Sequence, residues 1–120
     1  MAYRNVEEAL ERFGDRYLER IFTPEERAYA EASTALRVPR LAARFAAKEA
    51  VRKVLRPSEG LEFTSVSVSN DEQGAPSVTL TGTASDLADR IGAHEWSISL
   101  THCDGHAAAA VIVLCKEPQK

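Results

Sequence analysis

Glu49 and Lys53 stand one helical turn apart in Leu41-Ala42-Ala43-Arg44-Phe45-Ala46-Ala47-Lys48-Glu49-Ala50-Val51-Arg52-Lys53. A carboxylate can ligate a hard cation or accept a proton, and an ammonium four positions on can meet a phosphate. Together they suit Mg²⁺-assisted phosphoryl chemistry. At about 100° per residue, with Arg44 at zero, Arg44, Lys48 and Arg52 fall within roughly 80° and read as an ordinary solvated face. Glu49 falls near about 140° and Lys53 near about 180°. They are set off from that stripe by Leu41 and Phe45 and flanked by Ala42, Ala46 and Ala50, on the side where the helix should pack. Burying an ion pair seldom stabilises, because desolvation outweighs the attraction unless further partners are supplied. Stability alone would favour Leu or Met there. The plain alternative to a phosphate-receiving cleft is an i,i+4 ion pair at the core edge or at a subunit contact.

His102 ends the strand-like Ser99-Leu100-Thr101-His102 beside a tight turn, where a scaffold can hold a side chain at a cleft rim. A lone histidine is more often structural or exposed. His94 and His106 carry no motif. Arg12, Arg16 and Arg20 form a row at i,i+4 beside Glu11, Asp15 and Glu19. The row reads either as a solvated face knitted by i,i+3 pairs such as Arg12 with Asp15, or as a cationic ridge for an acidic partner. No G-x-x-x-x-G-K-[ST], G-x-G-x-x-G or G-x-S-x-G occurs, and the histidines lack a zinc spacing. P-loop, dinucleotide-binding, hydrolase-elbow and zincin readings therefore lack their residues.

The elements that must position these groups follow from the apolar period. Val6, Leu10, Phe13, Tyr17 and Ile21 predict one helix over 6–20. Thr23-Pro24-Glu25-Glu26 starts a second with an N-cap hydroxyl, a first-turn proline and a capping-box glutamate, ending near Ser33 and Thr34. A third runs from about Pro39 to Leu55, stopped by Arg56-Pro57. After Gly60 the period becomes two. Phe63–Ser69 and Ser77–Thr81 flank a turn-forming stretch and read as a hairpin. A short helix over Ser85–Ile91 precedes strands Trp96–Thr101 and Ala107–Leu114, joined through Asp104-Gly105. The order is that of an α+β fold, helices packed on a small antiparallel sheet, in a single domain over 1–120.

The chain's 120 residues, 44% hydrophobic and 28% charged, suffice for one core. A net charge of -3 excludes a large basic footprint for nucleic acid. The longest apolar run, His106–Cys115, is about half of a bilayer span, so no membrane segment or secretory signal is expected. Cys103 and Cys115 fit neither a redox nor a metal motif and read as reduced thiols of a cytoplasmic protein.

Four segments in order, Phe22-Thr23-Pro24-Glu25-Glu26, the Leu41–Lys53 stretch with its F-A-A-K-E-A-x-x-K element, Asn70-Asp71-Glu72-Gln73-Gly74-Ala75-Pro76, and Ser97-Ile98-Ser99-Leu100-Thr101-His102, resemble the signatures of holo-acyl-carrier-protein synthase, the small 4'-phosphopantetheinyl transferase. The resemblance runs from about residue 4 to 115. It implies transfer of the phosphopantetheine arm of coenzyme A to a serine of apo acyl carrier protein, of fatty acid or polyketide synthesis, with Mg²⁺ on the pyrophosphate. It also implies a homotrimer with active sites between subunits. Glu49 matches the family's metal-binding glutamate and Lys53 its phosphate-contacting lysine. Arg44, Thr101 and His102 match positions near the coenzyme, and Arg12, Arg16 and Arg20 become the ridge that meets the carrier. Family members open with a strand G-[IV]-D-x-x-x-[IV]-x-R whose aspartate is a principal Mg²⁺ ligand. Arg4 matches its closing arginine, and the aspartate's position lies ahead of residue 1. Three readings stay open: a longer natural chain, a catalytically silent homologue that only binds carrier or coenzyme, or a substitute carboxylate such as Asp71 or Asp104.

Overall fold

The apolar spacing from Val6 to Ile21 foretells one helix, but the backbone breaks it at Gly14. The computed structural model describes residues 1–57 and 60–116. It places α1 at Tyr3–Phe13 and α2 at Asp15–Ile21, with Gly14 between them at φ 58 and ψ -133. That positive φ is open to glycine and strained for a residue with a Cβ. The break lets Val6 of α1 and Leu18 of α2 both reach the core, and Phe22 follows them in at 1% exposure. Full burial of such a ring is worth about 1.5–3 kcal/mol.

Helix α3 (Pro24–Glu31) begins as the sequence foretells: the Glu26 N–H donates to the Thr23 hydroxyl and the Thr23 N–H donates to the Glu26 carboxylate. Helix α4 (Arg37–Leu55) is the spine. Its first half packs with Val6, Leu18 and Phe22 through Leu41, Ala42 and Ala43. Its second half packs through Val51 and Leu55 against Leu61, Val66, Ala84 and Ala88.

The face of α4 that packs is not the one expected. Arg44 and Lys48, read as solvated, are 2% and 1% exposed, whereas Lys53 is exposed and Glu49 half-buried. The reason lies in the same angular scale: Leu41, Val51 and Leu55 fall at about 60°, 340° and 20°, so the buried arc is centred on Arg44 and Lys48.

After a single 3-10 turn at Phe63–Ser65 come β1 (Val66–Asn70) and β2 (Pro76–Leu80), then α5 (Gly82–Ile91), β3 (Ala93–Cys103) and β4 (His106–Cys115). Strands β1 and β2 pair antiparallel, as do β3 and β4, so the expected α+β fold of helices on small antiparallel sheet structure is present, with its four strands in two two-stranded sheets. The alternation in a sequence marks strands but not which edges meet. The β3–β4 turn has Asp104 at φ 43 and Gly105 at φ 84. Those are the paired positive φ values that a two-residue hairpin matching the strand twist requires. Ala2 bridges to His106 at the edge of β4.

Candidate active site

Two cations one turn apart on α4 enter the interior. The Lys48 ammonium donates to Glu26 Oε1 at 2.7 Å, to the Phe63 carbonyl at 2.9 Å and to the Val66 carbonyl at 2.5 Å. Its three donors are thereby used. Glu26 accepts in turn from Thr23 N–H and, through Oε2, from Val68 N–H at 2.8 Å each. Both side chains are fully buried. Burial pulls the Lys48 pKa down, and the neighbouring Glu26 carboxylate opposes that fall.

Arg44 is held differently. It donates to the Asn70 side-chain carbonyl, whose Nδ2 donates to the Gly74 carbonyl at 2.9 Å. Its guanidinium lies 4.1 Å from the centre of the Tyr29 ring, and that of Arg40 lies 4.1 Å from the same centre. Arg40 also donates to the Tyr29 carbonyl at 2.8 Å. No carboxylate pairs with Arg44 among the described residues, and its buried Nε has no hydrogen-bond partner. Desolvation by burial lowers its pKa, against the pull of Tyr29 and Glu26. Arg44, Arg40, Tyr29, Asn70 and His102 line one cavity of about 340 Å³. Two guanidiniums, an imidazole and an amide around one hollow make an anion-receiving site.

The expected residues thus divide. Arg44 and His102 come together in that cavity, while Thr101 points outward opposite Ala108 on β4. Glu49 and Lys53 do not line it. Among the described residues the ion pairs are Arg37–Glu31 and Lys48–Glu26, so the expected alternative of a Glu49–Lys53 pair is not formed. One turn beyond Glu49, Arg52 borders a second cavity of about 600 Å³ with Arg20, Ile21, Glu62 and Phe63. Arg16 and Arg20 rim a third, about 270 Å³, floored by Phe13, Tyr17 and Ile21. Arg12 rests 5.3 Å above the Phe13 ring. Arg20 and Ile21 belong to both hollows, which therefore adjoin.

Sequence reasoning passed over Tyr29, Arg40 and Asn70 in the anion cavity, and it read Glu26 only as a cap. The signal for Glu26 was faint but present: a capping glutamate beside a predicted buried helix face has a second oxygen to offer. Of the carboxylates weighed as substitutes, Asp71 spends Oδ1 on the N–H groups of Gln73 and Ala75 within the β1–β2 turn. Asp104 sits in the β3–β4 turn.

Comparison with known proteins places the chain in a family. The family model of the 4'-phosphopantetheinyl transferase superfamily matches residues 2–111. A holo-[acyl-carrier-protein] synthase of Dehalococcoides mccartyi (strain CBDB1) is 44% identical over 109 residues, covering 91% of this chain and 88% of that one. The crystal structure of Helicobacter pylori holo-[acyl-carrier-protein] synthase in complex with coenzyme A superimposes with a TM-score of 0.81 at 28% identity, covering 95% of each chain. A coenzyme A complex of the Chronobacterium ammoniagenes enzyme gives 0.82 at 26% identity, over 98% of this chain and 93% of that one. With the family model matching residues 2–111 and a relative 44% identical across 91% of this sequence, the chain belongs to the 4'-phosphopantetheinyl transferase superfamily.

Proposed function

We propose that the chain is a holo-acyl-carrier-protein synthase, moving the 4'-phosphopantetheine arm of coenzyme A to a serine of apo acyl carrier protein. The observation that carries this reading is the cavity that Arg44 and Arg40 line together with His102. A phosphate of coenzyme A would meet two guanidiniums there. In the reaction the serine oxygen attacks the β-phosphorus, the bond from that phosphorus to the bridging oxygen breaks, and adenosine 3',5'-bisphosphate leaves. The serine proton passes to Glu49 or to a water beside it. Lys53, exposed and with no ion pair among the described residues, meets the charge that builds on the phosphoryl oxygens. Arg44 and His102 hold the nucleotide end, which fixes the line of attack.

Among the described residues no three His, Cys, Asp or Glu side chains gather as a metal cage. One half-buried carboxylate, Glu49, suits an ion that keeps most of its water and draws further ligands from substrate phosphates. Bound there, Mg²⁺ would withdraw charge from the pyrophosphate.

Three further parts of the reading rest on surface chemistry. The notch of Phe13, Tyr17 and Ile21, rimmed by Arg16 and Arg20 with Arg12 beside it, suits an apolar side chain on an acidic helix of the carrier. It adjoins the cleft beside Arg52, so a docked carrier lies next to α4. The outward face of β3–β4 pairs Ser97 with Ile112, Ser99 with Ala110 and Thr101 with Ala108, and Ile112 is 66% exposed. Such a smooth, weakly polar face favours self-association, and a homotrimer would bring Glu49 and Lys53 of one subunit against the anion cavity of the next. The exposed free thiols Cys103 and Cys115 suit the reducing cytoplasm.

Incubation with coenzyme A, Mg²⁺ and apo carrier protein should raise the carrier's mass by one phosphopantetheine unit, and Glu49→Gln should abolish the gain while leaving the circular dichroism unchanged. Binding of coenzyme A with no mass gain in the wild type would favour a silent binding module. Full transfer by Glu49→Gln would remove that carboxylate from the chemistry.

A further inference from the structure

We infer that the buried Glu26–Lys48 pair is a positioning device for Glu49, fixing the rotation of α4 and so the direction in which the neighbouring carboxylate projects. The inference rests on the transferase reading above, and neither residue touches substrate. Lys48 and Glu26 are 1% and 0% exposed.

The packing face of α4 explains why such a device is needed. Leu41, Val51 and Leu55 anchor it toward its two ends, and between them Ala42, Ala43 and Ala47 leave the stretch around Lys48 short of large apolar side chains. Short side chains make shallow ridges, which set helix rotation weakly. Hydrogen bonds are directional where such packing is not. Lys48 binds α3 through Glu26, the 3-10 turn through the Phe63 carbonyl and β1 through the Val66 carbonyl. Glu26 adds the N–H of Val68 on β1 and that of Thr23 at the start of α3. Three neighbouring segments thereby hold one residue of α4, and the next residue is Glu49.

Stability does not account for the choice. Replacing a buried ion pair by apolar groups of similar volume is often neutral or stabilising. Rotation does account for it. A turn of about 20° displaces a side-chain tip lying about 6 Å from a helix axis by about 2 Å. A misplacement of about 1 Å can cost about 100-fold in rate.

The test is the double variant Glu26→Gln/Lys48→Met, in which glutamine still serves the capping box. The glutamine amide nitrogen meets the Val68 N–H that Oε2 had accepted from, so the thermal midpoint should fall by several degrees with cooperative unfolding kept, and KM for coenzyme A and for carrier should stay within about threefold, while kcat falls by about 30-fold or more. Mn²⁺ binding in the presence of coenzyme A, followed by electron paramagnetic resonance without turnover, should weaken by about tenfold. A folded double variant with wild-type kcat and Mn²⁺ affinity overturns the inference. Glu26→Asp, which keeps the charge and withdraws it by one methylene, is the second variant and should show the same loss of kcat at unchanged KM. Loss of fold in both variants would make the pair a stability element and also overturn the inference. Inactive Glu49→Gln beside a fully active double variant sinks the positioning role alone, whereas fully active Glu49→Gln sinks the transferase chemistry on which it rests.

Discussion

Arg44 and Lys48 sit one turn apart on the same helix, equally hidden from water, yet their surroundings are opposite. Lys48 has a counterion and a partner for every N–H. Arg44 has an aromatic face, one amide and an Nε with nothing to donate to. A closed polar network holds a structure together; an open one leaves room for a ligand. The contrast sets a fully paired cation beside a partly paired one within a single turn of α4.

Breaking each cation alone should expose the difference. Lys48→Met leaves Glu26 buried without its counterion, and urea denaturation should register a loss of about 3–5 kcal/mol. Arg44→Met removes a charge that had no carboxylate to desert. It should cost less than about 1.5 kcal/mol by the same measurement. Its signature should be a KM for coenzyme A raised about 10- to 100-fold, with kcat at saturation changed far less. Equal destabilisation by the two substitutions would erase the distinction.

Tyr17 supplies a neutral scale for burial without charge. Desolvation pushes its phenol from 10.0 up to about 12. The folded chain keeps that proton while the unfolded chain releases it, so this contribution is whole below pH 10 and is lost as pH rises from 10 through 12. Tyr17→Phe should match wild type near neutral pH and lose less urea resistance between pH 9 and 11. The effect should be the smallest of the three, since the ring is only partly buried.

Local chemistry was legible. The Thr23–Glu26 cap, the end of α4 ahead of Pro57 and the Asp104–Gly105 turn all depend on neighbours in sequence, and the structure has each where the residues indicate. The face of α4 was misread because Arg and Lys count as polar in any period, although Leu41, Val51 and Leu55 share their arc. The break at Gly14 left no trace, since the apolar spacing continues across it and a lone glycine is tolerated within a helix. The anion cavity was half legible. Arg44 and His102 could be named from a family signature, but Tyr29, Arg40 and Asn70 join them only through long-range folding that no spacing encodes.

The elbow at Gly14 also redistributes the charge of the arginine row. Ending α1 at Phe13 gives the chain an extra carboxyl-terminal helix pole, with Arg12 in its last turn, and an extra amino-terminal pole with Asp15 in its first. Arg20 lies in the last turn of α2. Cations so placed are engaged by the macrodipole of their own helix, for about 0.3–1 kcal/mol each. Of the three guanidiniums, Arg16 alone lies in a first turn, that of α2, where the positive pole of the helix adds to its field toward an approaching acidic surface.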